Sequence, residues 1–177
     1  MLYQTDNINN TKKMVFIAIL LAQGIILSFF ERFIPLSFAI PGAKLGLCNI
    51  IVLTSIYLLS FKEALLLVFL RSFLSALLFS GFSGFLYSIS GGLLSFFVMY
   101  FVKNNLKNSF SIVGNSILGG VFHNIGQILM AAMIIQNIQI TMYLPMLFLF
   151  GLLTGIFVGF CTKFLLESIK KLGIINL

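Results

Sequence analysis

Long apolar segments are the feature of this sequence that most constrains its fold. Of the 177 residues, 60% are hydrophobic and only 8% are charged. Soluble domains carry about a quarter charged residues and keep polar side chains on one face of each helix. Because these segments are apolar on every face, the sequence predicts an all-α integral membrane protein.

Six segments are predicted to be transmembrane helices, in one domain spanning residues 14–171 between tails at 1–13 and 172–177. A bilayer core needs about 20 mostly apolar helical residues, and a shorter helix is tolerated where it is tilted or buried. The predicted spans are Met14–Phe30, Gly46–Leu59, Ala64–Phe79, Gly84–Val102, Ser111–Ile135 and Tyr143–Leu166.

Basic residues at the ends of these segments predict the orientation, because short cytoplasmic loops carry the excess of Lys and Arg. With the N-terminus inside, only Arg32 and Lys44 fall on the outer side. We therefore expect both termini in the cytoplasm of a multi-pass protein of the bacterial cytoplasmic membrane. The inner side receives Lys12, Lys13, Lys62, Lys103, Lys107, Lys163, Lys170 and Lys171. The external connections are then residues 31–44, 81–84 and 136–141.

The net charge of +7 does not indicate a nucleic-acid partner. Nucleic-acid-binding surfaces gather Lys and Arg on one face, whereas here they are scattered over the segment ends. The bilayer is the partner that this distribution predicts.

Arg71 is predicted to lie deep in the membrane, where a charge usually faces a cavity or a partner. It follows Lys62 by nine residues, about 14 Å along a helix. His123 and Asn124 reach a similar depth in the fifth span, and Gln127 shares a helix face with His123. These four residues are candidates for binding a polar or anionic ligand. The alternative is that Arg71 bonds to carbonyls and to His123 or Asn124 and only holds the helices together.

The acidic residues favour the ligand hypothesis. The chain has four, and all are expected near segment ends or in the tail: Asp6, Glu31, Glu63 and Glu167. A buried guanidinium without an embedded carboxylate favours an anionic ligand.

No catalytic residue, metal site or cofactor is predicted. The single histidine has no second one to form a metal site, and the two cysteines lack metal-ligand spacing. No phosphate-binding loop ending in Lys-Ser or Lys-Thr is present, so the chain has no ATPase motif of its own.

Small residues recur every four positions, which lets helices approach closely in lipid. The series are Ala18 and Ala22; Gly84, Ser88 and Gly92; and Gly151, Gly155 and Gly159. Packing within the protein is one explanation. The other, for Ala18 and Ala22, is docking of another membrane subunit.

The stretch "IPGAKLGLCNI" interrupts the apolar sequence between the first two spans. Pro41 disfavours helix at the residue before it, and Gly42 permits a tight bend. Lys44 is expected at the outer mouth of the ligand site and Asn49 at its upper wall. A lysine that only reaches the membrane interface is the alternative for Lys44.

From about Lys12 onward the chain resembles the Gx transporter family, labelled heptaprenyl diphosphate synthase component I. The resemblance rests on "PGAKLGLCNI" and the following "VLTSIYLLSFKEALLLVFLRSFLSALLFSG". That family is similar to the substrate-binding S components of energy-coupling factor (ECF) transporters. The resemblance implies a substrate-binding or transport subunit, but the vitamin-specific pocket residues of S components have no match here, so their substrates do not transfer. With Arg71 and the family label, the expected ligand is a small anionic or amphipathic molecule related to isoprenoids or quinones.

The same resemblance implies partners. S components meet a transmembrane coupling subunit, joined to a pair of cytoplasmic ATPases, through alanines of the first helix, which Ala18 and Ala22 match. The loop after that helix gates the substrate pocket, and residues 34–44, with Pro41, Gly42 and Lys44, match it.

The synthase label implies an alternative function in isoprenoid metabolism. Prenyl diphosphate synthases resembling the known catalytic subunits bind magnesium–diphosphate through aspartate-rich motifs. This chain has a single aspartate, Asp6. The alternative is therefore an accessory membrane subunit that assists a soluble prenyl diphosphate synthase.

Overall fold

The computed structural model describes residues 10–31, 33, 46–106 and 109–171, which form helices joined by short connections. A π-helical turn, Ala76–Ser80, precedes α4, and a 3-10 helix, Ile138–Tyr143, precedes α6. The α-helices are α1 (Asn10–Glu31), α2 (Asn49–Leu58), α3 (Phe61–Ser75), α4 (Gly81–Asn105), α5 (Ile112–Ile135) and α6 (Leu144–Lys171).

Four stretches of the described chain are long and apolar enough to cross a membrane: Thr11–Glu31, Phe61–Asn105, Ile112–Ile135 and Ile138–Lys171. The second has 45 residues, and a straight helix of that length would measure about 67 Å, twice the bilayer core. It contains both α3 and α4.

These two helices form an antiparallel pair that reverses direction at Gly81. The Phe61 and Phe96 rings lie 5.4 Å apart, and the Ser72 and Ser88 hydroxyls lie 3.4 Å apart. Gly81 has φ +67°, which a residue with a side chain rarely adopts. The predicted turn at residues 81–84 is thus displaced, because the reversal occurs at Ala76–Gly81 and residues 82–84 already belong to α4.

The second predicted span is a short central helix. With 10 residues, α2 measures about 15 Å, so it cannot by itself cross a core of about 30 Å. Nine of its residues are buried, on every face, and it contacts each of the other five α-helices. It ends at Leu58, and α3 begins only three residues later, at Phe61, because Ser60 and Glu63 form a capping box.

α-Helices that follow one another in the chain alternate in direction, so α1 and α3, which are separated by α2, are parallel. The Lys13–Glu63 ion pair (2.7 Å) and the Phe29–Phe79 ring contact show that α1 and α3 run the same way. α4 and α5 are antiparallel, since Asn115 donates to the Met99 carbonyl at one end while Ser90 donates to the Gly126 carbonyl further along.

Glycines bring α5 and α6 into backbone contact. A Cβ added at Gly155 would lie 2.6 Å from Ile117 Cα, and one at Gly159 would lie 2.7 Å from Val113 Cα. On α4, an added Cβ at Gly92 would lie 3.2 Å from Val68 of α3. The two glycine series therefore pack inside the protein, which is the first of the two explanations drawn from their spacing.

Candidate functional site

Arg71 lies at the centre of the bundle, in a slot between glycines of two other helices. Its side chain is 1% exposed. A Cβ at Gly24 of α1 would lie 3.3 Å from Arg71 Cδ, and one at Gly92 of α4 would lie 3.4 Å from Arg71 Nη2. The absence of a side chain at Gly24 and Gly92 therefore leaves room for the arginine between the two helices.

The described hydrogen bonds of Arg71 are few for a buried cation. Nη1 donates to Cys48 Sγ, and Nη2 donates to Ser72 Oγ at 3.4 Å. Nε has no hydrogen-bond partner among the described residues. Neither acceptor is a carboxylate, and the sulfur of a cysteine thiol is a weak acceptor. The alternative hypothesis was that Arg71 only holds the helices together through bonds to carbonyls and to His123 or Asn124. The two hydrogen bonds described here go to other groups.

The turn before α2 brings Asn49 and His123 together. Gly46 has φ +81°, and a Cβ there would lie 3.0 Å from Asn49 Nδ2 and 3.6 Å from His123 Cδ2. Asn49 is 3% exposed, and its Oδ1 has no hydrogen-bond partner among the described residues.

His123 and Gln127 both lie against Gly91, the neighbour of Gly92. A Cβ at Gly91 would lie 2.7 Å from the His123 carbonyl and 2.9 Å from Gln127 Cγ. The structure thus brings four of the predicted residues around one region, which we call the polar centre: Asn49, Arg71, His123 and Gln127.

Asn124 lies elsewhere, although it is adjacent to His123 in sequence. Its Nδ2 donates to the Leu147 carbonyl of α6 at 2.8 Å. Successive helical residues point about 100° apart, so Asn124 faces α6 while His123 faces α4. The structure therefore does not group Asn124 with the polar centre.

Glu31 lies at a segment end, as expected from the sequence, but it is buried there. It is the last residue of α1 and is 5% exposed, and its carboxylate accepts the Gly46 N–H. Gly24, Ser28 and Glu31 are spaced by four and three residues, so they share the inward face of α1. A carboxylate therefore holds the turn beside the polar centre, and the sequence signal for it was this helical spacing.

The predicted residues of the external loop lie outside the described part of the chain. These are Pro41, Gly42 and Lys44, together with Arg32. Ala18 and Ala22 are described, and both lie on the exposed face of α1. They do not pack inside the protein.

A second buried polar group lies at the opposite end of α2. Lys103, predicted to lie on the inner side, is only 8% exposed and donates to the Ile56 carbonyl near the end of α2. Its Nζ lies 5.7 Å from the Tyr57 ring centroid and 5.8 Å from that of Tyr100. The charge is buried because a helix carbonyl and two aromatic faces replace water.

The described residues contain no group of three His, Cys, Asp or Glu side chains that could hold a metal ion. The polar centre offers a guanidinium, two amides and an imidazole. Such groups can hold an anion or a polar molecule by charge and hydrogen bonds.

Comparison with known proteins gives one match. No curated protein and no solved structure matches the chain. The model of the family described as heptaprenyl diphosphate synthase component I matches residues 20–165, which include α2–α5, most of α6 and the whole polar centre. The chain therefore belongs to the heptaprenyl diphosphate synthase component I family.

Proposed function

We propose that this protein is a membrane substrate-binding subunit, similar to the S component of an ECF transporter, that captures a small anionic or amphipathic molecule. The observation that carries the proposal is Arg71, a 1% exposed cation among apolar helices whose described acceptors are a thiol and a hydroxyl. Burying a charge with weak partners is costly, and an anionic ligand would offset that cost.

The position of α2 supports an anion at this place. Its N-terminus lies at the polar centre, and the N-terminus of a helix carries partial positive charge. Transporters bind anionic groups at the N-termini of short, discontinuous helices near the middle of the bilayer. Because the Glu31 carboxylate already binds the Gly46 N–H and would repel an anion, we expect the anionic group of the ligand to lie closer to Arg71 than to Glu31.

In the proposed topology the chain crosses the membrane six times, with the half-length α2 as part of the second pass, and both termini lie in the cytoplasm. In this orientation the Gly46 turn and Glu31 lie towards the outer side of the membrane, and the ligand enters from that side. The loop with Pro41, Gly42 and Lys44 would gate that entrance, and Ala18 and Ala22 on the exposed face of α1 would dock a coupling subunit associated with ATPases.

The description of the family supports a second candidate. A component of heptaprenyl diphosphate synthase without the aspartates that bind magnesium would be an accessory membrane subunit. Its partner would be a soluble synthase subunit that supplies those aspartates.

The test of binding is native mass spectrometry of the gently purified protein, with identification of the retained molecule. We expect a bound small molecule in the wild type and in Lys163→Ala, whose lysine is exposed, and none in Arg71→Ala. A folded Arg71→Ala protein that keeps the molecule would contradict the assignment of Arg71.

Co-purification separates the two candidates. An S-type subunit should retain a membrane coupling subunit and ATPases, and the association should be lost in the variant with Ala18→Trp and Ala22→Trp. An accessory subunit should instead retain a soluble, aspartate-rich synthase. Unchanged association in the tryptophan variant would exclude this docking face.

A further inference from the structure

Gln23 is a polar side chain on the exposed surface of α1. It lies two residues from the centre of the apolar stretch Thr11–Glu31, about 3 Å along the helix axis. Outside the first and last turns of the described helices, the other exposed polar side chains are Lys163 and Glu167 of α6. Because α6 has 28 residues, about 42 Å, its end extends beyond a bilayer core of about 30 Å, and long charged side chains there can reach the interface.

In a membrane the exposed surface of α1 faces lipid, where a carboxamide finds no water to bond. The Gln23 carboxamide also has no hydrogen-bond partner among the described residues. Leaving such a group unpaired in hydrocarbon is costly, so polar side chains in membrane helices commonly bond to another helix. We therefore expect this part of α1 to be covered by a group that can both donate and accept hydrogen bonds.

The residues around Gln23 form a stripe suited to packing against another helix. Ile19, Gln23, Ile26 and Phe30 follow one another at intervals of four, three and four residues, which is the spacing of a coiled-coil seam. The three apolar members are each about half exposed. Helices in membranes pack mostly in this left-handed manner. We call these four residues the Gln23 stripe.

We propose that the Gln23 stripe is the contact surface between two copies of this protein, with the two Gln23 carboxamides hydrogen-bonded to each other. A carboxamide donates and accepts hydrogen bonds, so it is its own complement. Copies inserted in the same orientation are related by an axis along the membrane normal, which places Gln23 of each copy at the same depth. Any other partner would have to present a polar group at this depth, whereas a second copy always does.

The pairing is independent of the proposed function, because it uses neither the polar centre nor a ligand. Ala18 and Ala22 lie about 140° and 100° around α1 from Gln23, on another part of the exposed surface. A coupling subunit at the alanines and a second copy at the Gln23 stripe would therefore meet different surfaces of α1.

The dissociation constant of the dimer tests the role of Gln23. It is measured by energy transfer between copies with donor and acceptor fluorophores at the C-terminus, in phosphatidylcholine vesicles at several protein-to-lipid ratios. We expect the wild type to dimerise and the dissociation constant of Gln23→Leu to be roughly 5- to 30-fold higher, the effect of an interhelical polar hydrogen bond in model helices. Gln139→Leu, the same change at an exposed glutamine beyond the end of α5, should leave it unchanged.

Disulfide cross-linking tests the surface while Gln23 is kept. In a Cys161→Ser background the remaining native cysteine, Cys48, is buried. Oxidation in the same vesicles should then join the copies of Ile19→Cys, and those of Ile26→Cys, into dimers. Ala18→Cys is the matched control, since residue 18 is exposed but lies on the other part of α1, and it should not be joined.

Three results would overturn the proposal. A wild type that stays monomeric at every protein-to-lipid ratio would mean that the Gln23 stripe meets lipid or a different membrane protein. An unchanged dissociation constant in Gln23→Leu would mean that the carboxamides are not paired. Cross-links at residue 18 but not at residues 19 and 26 would place the contact elsewhere. Cross-linking decides the surface even if Gln23→Leu fails to fold.

Discussion

At the scale of single residues, the depth of Arg71 follows from its distance to Lys62, but its surroundings do not. Counting residues along one helix gives the depth of Arg71. The space that holds its side chain is formed by Gly24 and Gly92, which belong to other helices. The contact with Cys48 likewise depends on the turn before α2.

Gly24→Ala tests whether Gly24 positions Arg71. The new Cβ would lie 3.3 Å from Arg71 Cδ, so the arginine must shift by a few tenths of an ångström. We expect the rate at which N-ethylmaleimide alkylates Cys48, measured by mass spectrometry in a Cys161→Ser background, to change in the direction that Arg71→Ala changes it, and by less.

The control is the combination of the two substitutions. If Gly24 acts through Arg71, Gly24→Ala should have no further effect in Arg71→Ala protein. Gly114→Ala, whose Cβ would lie no closer than 3.3 Å to its nearest neighbour, should leave the rate unchanged. An additional effect in the double variant would instead indicate general loosening of the bundle.

Lys103→Met should destabilise the protein, because it removes the donor to the Ile56 carbonyl and the contacts with two tyrosine rings. We expect a loss of about 1–3 kcal/mol in the free energy of unfolding, the range for a hydrogen bond to a charged group. Denaturant unfolding in detergent measures it. The same substitution at exposed Lys163 should cost less than about 0.5 kcal/mol, and an equal loss there would contradict a special role for Lys103.

At the scale of elements, local sequence signals place most helix ends. Ser111 caps α5 as the predicted start of that span suggests, and its side chain accepts the Gly114 N–H. The end of α3 is different: hydrophobicity continues through the π-helical turn, and only the positive φ of Gly81 ends the segment. The burial of α2 is not a local property, since it requires five neighbouring helices.

Gly155→Ala tests the contact between α5 and α6. Its Cβ would lie 2.6 Å from Ile117 Cα, and a backbone atom cannot move aside as a side chain does. We expect destabilisation of about 1–3 kcal/mol, the usual cost of overpacking, and a lower thermal unfolding temperature in detergent.

Gly114→Ala is the matched control in the same helix pair. The nearest atoms to its Cβ are side-chain atoms, Phe110 Cδ1 at 3.3 Å and Ser111 Oγ at 3.6 Å. It should leave the unfolding temperature within a few degrees of wild type. If Gly155→Ala were equally harmless, the close approach of the two helices would not contribute to stability.

At the scale of the whole molecule, the first turns of α1 and the last turns of α6 lie at the same end of the bundle, where Phe16 packs near Leu166 and Ile169. The proposed orientation predicts that a green fluorescent protein fused to either terminus will fluoresce, because it folds in the cytoplasm. Alkaline phosphatase at the same places should be inactive, since it needs the oxidising outer side. Phosphatase activity at either terminus would contradict the proposed topology.

The sequence by itself predicted an apolar helical protein, the four long apolar stretches (the second of them as two spans), and the burial of Arg71, His123, Asn124 and Gln127. These follow from composition and from spacing along single helices, which are local properties. Only the tertiary structure decided that α2 is a buried half-length helix, that Glu31 and Lys103 are buried, and that Asn124 faces α6 rather than Arg71. Each of these depends on which helices lie side by side, and pairing between helices that are apolar on every face leaves no periodic signal in the sequence.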